Sequence, residues 1–186
     1  MSFIGIITSN KNEETLKKGI AQVLKEENIK QNILIINEKN IENMKNIKFN
    51  SIIINKENII VEQSKIILKQ ILKNTKYLII NSDIHKKLEI AYNLNLAIIT
   101  YGYNLKATIT ASSVNEEKIL LCVQRDIITN NKNDIEPKEI YVKILGNDIY
   151  TTMAANATRM IYSWKTVKIY FFLKKLTFYV DKCLKV

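Results

Sequence analysis

Proline, glycine, cysteine and histidine are all scarce in this sequence, and each shortage removes a class of protein. One proline and four glycines in 186 residues leave no flexible or Pro-rich linker at which to divide the chain. The two cysteines, Cys122 and Cys183, stand far apart with no CxxC partner, which argues against both a disulfide framework and a cysteine zinc site. Free thiols in a reducing compartment are the expectation. The one histidine, His85, sits beside Lys86 and Lys87 and reads as solvated surface rather than as a catalytic base or metal ligand. Long hydrophobic runs are missing too: nothing approaches the ~20 apolar residues that a membrane-spanning helix needs. The opening MSFIGIITSNK has no basic region followed by an apolar stretch, so it does not read as a signal peptide. A soluble cytoplasmic protein is expected.

What is present is an apolar content of 47% with 25% charged residues, a globular balance with enough chain for one well-buried domain. The formal net charge is +10, yet its distribution argues against a nucleic-acid footprint. From Arg159 onward there are seven basic residues against one acidic, so more than half of the excess lies in the C-terminal tail. The body shows no arginine cluster and no aromatic stacking motif, so no specific nucleic acid is expected as a partner.

Short β-branched runs recur along the first hundred residues: FIGIIT, NILIIN, SIII, YLIIN and LAIITYG. Each has the continuous apolar character of a strand buried on both faces. Between them EETLKKGIAQVLKEEN, ENIIVEQSKIILKQILKN and DIHKKLEIAYNLN repeat apolar residues at helical spacing; in the second, Ile60, Ser64, Ile67, Leu68, Ile71 and Leu72 share a face. Such alternation specifies an α/β fold with a mostly parallel sheet flanked by helices. After Gly102 the rhythm changes. KATITASSV, KILLCVQRDIIT and DIEPKEIYVKIL read as a small antiparallel β subsheet over 104–145, and IYTTMAANATRMIYSW as a returning helix.

The order of these elements, with the residues at their joints, resembles the central ATP-binding domain of the Mur ligases, the amide ligases of peptidoglycan precursors. Four stretches carry the resemblance. GIITSNKNEET stands where that family has a strand and a Gly-Thr-Asn-Gly-Lys-Thr-Thr loop. YLIINSD resembles its strand ending in Asn-x-Asp-Asp, and AIITYGYNLKATITASSV its Tyr-Gly strand end and following β subsheet. LGNDIYTTMAANA resembles its Leu-x-Gly-x-His-Asn-x-Tyr-Asn-x-x-Ala-Ala helix start, with the Ala154-Ala155 pair kept. The resemblance implies a Mur-like central domain over residues 1–163 followed by a basic tail over 164–186. It also implies that residues 8–12, Asn81–Asp83 and Tyr101–Gly102 meet at one edge of the sheet.

By the same resemblance the candidate nucleotide-binding residues are Thr8, Ser9, Asn10, Lys11, Asn12, Asn81 and Asp83, with ATP and Mg²⁺ as cofactors if the site is retained. A working phosphate loop uses glycines for close backbone approach, a lysine for the β/γ-phosphates and a hydroxyl for Mg²⁺. Lined up from Gly5, the family's Gly-Lys-Thr falls on Lys11, Asn12 and Glu13. Glu13 and Glu14 then place two carboxylates at a helix start, which suits the helix dipole and repels a triphosphate. The loop reads as a vestige or a structural βα turn. No Asp-His-x-Asp stretch follows, Glu62 is a faint echo of the family's Glu-x-Ser-Ser, and the family's C-terminal ligase domain has no counterpart in this sequence. Phosphoryl transfer needs positioning and charge neutralisation, and the groups for both are missing. No catalytic or metal-ligating residue is assigned, and the expected role is binding or regulation near cell-wall precursor metabolism. The alternatives are an amide-ligase component completed by another chain, or a generic α/β nucleotide- or metabolite-binding domain.

Other polar residues have plainer readings. Ser82 or Asp83 can serve as a helix N-cap. Ser112 and Ser113 fall inside a strand with no base nearby, and Arg125 is placed to pair with Asp126, Glu136 or Glu139. In the tail, Ile169, Phe172, Leu173, Leu176, Tyr179, Val180, Cys183 and Leu184 share one side of a helical projection and five lysines the other. Residues 165–186 therefore suit docking on the core, a protein partner or a membrane surface.

Overall fold

Isoleucine builds the central sheet. The computed structural model describes residues 3–55, 62–84, 89–131 and 133–162. Strands β1 (Phe3–Thr8), β3 (Phe49–Asn55) and β4 (Tyr77–Asn81) are buried along almost their whole length, as their unbroken β-branched runs require. With β2 (Asn32–Ile35) and β5 (Ala97–Tyr101) they pair in parallel. Three further strands, β6 (Ile109–Val114), β7 (Lys118–Val123) and β10 (Lys138–Lys143), complete an eight-stranded sheet of order β10-β7-β6-β5-β4-β3-β1-β2. A separate antiparallel pair is formed by β8 (Ile127–Ile128) and β9 (Asp134–Ile135).

The antiparallel strands expected over 104–145 thus divide in two. β6, β7 and β10 extend the main sheet, joined to β5 through the Tyr101–Ile109 pairing, and β8–β9 alone stands apart. The joint is local: Gly102 N–H donates to the Ile109 carbonyl at 3.1 Å, and Thr100 and Thr108 exchange backbone-to-hydroxyl bonds at 2.8 and 3.3 Å.

Helices cover both faces of the parallel half. On one, α1 (Glu13–Glu26) buries Leu16, Ile20, Val23 and Leu24 beside α4 (Ile149–Tyr162), whose Ala154, Ala155 and Ala157 are fully buried and allow close helix approach. On the other, α3 (Glu62–Lys73) buries Leu68, Ile71 and Leu72 with Ile41 of the short α2 (Ile41–Met44) against Ile52, Ile54, Leu78 and Ile80. Each such large side chain contributes about 1.5–3 kcal/mol by burial. The helical face read from the sequence is therefore correct for Leu68, Ile71 and Leu72; Ile60 lies outside the described residues.

One helix is corrected. The pattern over 83–95 predicts a helix, but among the described residues that stretch holds a turn at Ser82–Ile84 and a single 3-10 turn, Glu89–Ala91. Asn93 adopts a left-handed φ of 59°, which ends any helix, and the Asp83 carboxylate is bonded to the loop after β5. His85, Cys183 and the tail expectations for 164–186 also lie outside the described residues.

The strand order has one consequence for function. The chain moves from β1 to β2 on one side and then returns to β3 on the other, so the sheet has its switch point between β1 and β3. Open α/β sheets bind ligands in the crevice beyond the carboxyl ends of strands at such a point.

Candidate functional site

The carboxyl edge of the parallel strands gathers the segments singled out in the sequence. Thr8 pairs with Asn55, Ile80 with Ile54 and Asn81 with Tyr101, so the ends of β1, β3, β4 and β5 are level. Residues 8–12, Asn81–Asp83 and Tyr101–Gly102 therefore lie along one edge. They form two joints of different character.

The first joint links β1 to α1. Thr8 is buried, and its Oγ1 donates to the Asn55 carbonyl at 3.1 Å. Ser9 is extended and half-buried, and Asn10–Asn12 form a 3-10 turn closed by Asn12 N–H on the Ser9 carbonyl at 2.9 Å. Lys11 and Asn12 are exposed, and neither Ser9 nor Asn12 makes a side-chain cap bond. Glu13 and Glu14 occupy the first turn of α1, where the helix dipole favours them, and Glu14 approaches Lys18 at 3.8 Å on the surface. Gly5, from which the phosphate-loop comparison runs, lies within β1. A Cβ there would sit 2.7 Å from Ile36 Cδ1 and 3.1 Å from the Phe49 ring, so its smallness serves sheet packing.

The second joint is a network of polar side chains bonded to one another. Asn81 is fully buried; its Nδ2 donates to Asn55 Oδ1 at 3.0 Å, and its own Oδ1 accepts from Asp83 N–H at 3.0 Å. Burying these amides is tolerable because each finds a partner. Asp83 then turns its carboxylate to the loop after β5. Oδ2 accepts Tyr103 N–H at 2.6 Å and the Tyr150 hydroxyl at 3.1 Å, while Oδ1 accepts Asn104 N–H at 3.0 Å. Gly102, at φ 152°, makes this approach possible: a Cβ there would lie 2.7 Å from the carboxylate atoms. Ser82 Oγ donates to the Tyr101 carbonyl at 3.2 Å.

Asp148 finishes the edge by capping α4, accepting from the Tyr150 and Thr151 amides at 3.1 Å each. Burial, helped by the hydrogen bond to Asp83, pushes the Tyr150 phenol up to about 12. Tyr101 is buried outright, and its phenol is raised well above its ordinary value by burial and by the nearby Asp148. Both phenols remain neutral across the ordinary pH range; that of Tyr150 donates to Asp83, whereas the buried Tyr101 hydroxyl has no hydrogen-bond partner among the described residues.

Elsewhere, Ser112 and Ser113 stand in β6, as expected. Arg125 donates to the Lys106 carbonyl rather than pairing with Asp126, Glu136 or Glu139. Cys122 in β7 donates to Glu139 Oε1 at 3.3 Å, and burial raises its thiol, the opposite of an activated nucleophile. Among the described residues no group of three or more His, Cys, Asp or Glu side chains is placed to hold a metal ion. No helix among them is long and apolar enough to cross a membrane. The sequence reading missed Asn55, Tyr150 and the Tyr103–Asn104 amides. For Asn55 a signal existed, since SIIIN and YLIIN both end a buried strand on asparagine.

No family model matches the chain, and no curated protein matches it. Among solved structures, the apo-structure of D-lactate dehydrogenase from Escherichia coli matches at 18% identity with a TM-score of 0.35. The match covers 54% of this chain and 30% of the dehydrogenase. A likeness that weak bears on neither the fold nor the chemistry.

Proposed function

We propose that this chain is a non-catalytic, Mur-ligase-like α/β domain with a binding or regulatory role near cell-wall precursor metabolism. The order of the four resembling stretches supports the family reading. The observation that carries the non-catalytic part is the second joint. Asn81 and Asp83, which the resemblance assigns to the nucleotide, are spent on Asn55, on the 103–104 backbone and on Tyr150. At the first joint Lys11, Asn12 and Glu14 are exposed, and Ser9 and Glu13 are half-buried. That set lacks the glycine-rich backbone approach and the Gly-Lys-Thr order that a triphosphate requires.

Calorimetric titration of the full chain with Mg-ATP tests the reading. Binding no tighter than millimolar is expected. Micromolar binding abolished by Lys11→Ala would overturn it and favour an ATP-dependent amide-ligase component completed by another chain.

A further inference from the structure

We infer that the backbone amides of Tyr103 and Asn104, together with the Tyr150 hydroxyl, form a carboxylate-binding cradle that Asp83 fills in cis. The geometry is that of a recognition site. Two successive amides address the two oxygens of one carboxylate, Tyr103 to Oδ2 at 2.6 Å and Asn104 to Oδ1 at 3.0 Å, and the phenol adds a third donor to Oδ2 at 3.1 Å. Paired backbone amides of this kind make anion-binding concavities, and bonds to an ionised acceptor are the strong ones.

The donors are all neutral dipoles with no cation among them, so the cradle fits a monoanionic carboxylate better than a phosphate. Its shape is specified in the sequence. Gly102 removes the Cβ that would collide with the carboxylate, and the Tyr103 and Tyr150 rings meet edge to face at 5.8 Å, which sets the phenol. The donors come from the loop after β5 and the start of α4, while the acceptor comes from the end of β4. Asp83 is therefore a latch, tying three elements together at the edge where the sheet offers a ligand site.

The latch also fixes what surrounds it. Loop 102–107 carries Tyr103, 47% exposed, and Leu105, 81% exposed. Its other ties are the Gly102 amide on the Ile109 carbonyl at 3.1 Å, the Ala107 amide on the Asn104 carbonyl at 2.8 Å, the Lys106 amide on Asn104 Oδ1 at 2.8 Å and Arg125 on the Lys106 carbonyl. With the Asp83 carboxylate gone, the two amides and the phenol are left without an acceptor, and a small carboxylate from solution restores it.

Chemical rescue of the full chain tests this. Asp83→Ala should lower the Tm, and sodium acetate or formate should recover part of the loss saturably, whereas sodium chloride at matched ionic strength should not. The same acetate should shift the Tyr103 and Asn104 amide resonances in the variant and leave them unchanged in the natural chain. Tyr150→Phe added to the variant should weaken the rescue. A variant destabilised equally in acetate and chloride would overturn the cradle, and one with an unchanged Tm would overturn the latch. Should Asp83→Ala fail to fold, Asp83→Asn keeps the shape and one accepting oxygen. It should speed hydrogen exchange at one of the two amides, and unchanged exchange at both would count against the proposal. Mg-ATP plays no part in these readouts, so their failure is separable from failure of the functional reading above.

Discussion

The two joints at the carboxyl edge look alike in sequence and differ in what their polar groups do. Both follow an isoleucine-rich strand, and both run through short polar residues: TSNKNEE after β1 and NSD after β4. At the first, the side chains of Lys11 and Asn12 face water and a tight 3-10 turn carries the chain into α1. At the second, a buried asparagine and a half-buried aspartate are bonded across β3, β4, the loop after β5 and α4. A polar residue at a strand end therefore identifies a position without identifying its use. Its partners decide that, and they are distant in the chain: Asn81 lies 26 residues from Asn55, and Asp83 lies 67 from Tyr150.

Substitutions should separate the joints sharply. Asn81→Ala is expected to cost the most, about 3 kcal/mol, because it leaves Asn55 Oδ1 and the Asp83 amide without partners inside the protein. Equilibrium denaturation measures it, and a loss under about 0.5 kcal/mol would mean that water already serves those groups. Gly102→Ala should follow at about 2 kcal/mol, since the added carbon meets the Asp83 carboxylate at 2.7 Å and the backbone conformation disfavours a side chain. Its Tm loss should shrink when combined with Asp83→Ala, because the clash and the latch involve the same group.

Tyr150→Phe should cost about 1 kcal/mol, the worth of one hydrogen bond. Its pH signature is more specific. The folded-state phenol is raised to about 12 from an ordinary value of 10.0, so the neutral form is favoured in the folded chain. That stability is complete below pH 10 and is lost as pH rises through 12. Tyr101, Tyr77 and Tyr162 are raised as well, so the natural chain should destabilise steeply in alkali and Tyr150→Phe less steeply. The smallest effect should come from the first joint: Lys11→Ala is expected to change stability by no more than about 0.5 kcal/mol, as for an exposed surface residue.

Much of the parallel half was legible because burial on both faces forces an unbroken β-branched run, and β1 was readable to the residue as FIGIIT. The segments of α1 and α4 were likewise legible as helices, α1 through the spacing of its apolar residues. The stretch 83–95 misled because apolar spacing alone carries no information about Asp83's commitment elsewhere or about the left-handed Asn93. Subsheet connectivity was hidden for a related reason: the β5–β6 junction is one pairing, Tyr101 with Ile109, closed by threonine and glycine backbone contacts that have no periodic signature. At the site, Asn81 and Asp83 were found as residues, while Tyr150 lay too far along the chain to be seen as their partner.

Amide hydrogen exchange at Tyr103 and Asn104, with and without Mg-ATP, tests most directly whether this edge is closed on itself. The account predicts that both amides are protected in the ligand-free chain, through Asp83, and that Mg-ATP leaves their exchange unchanged. Fast exchange without ligand, slowed by Mg-ATP, would contradict it.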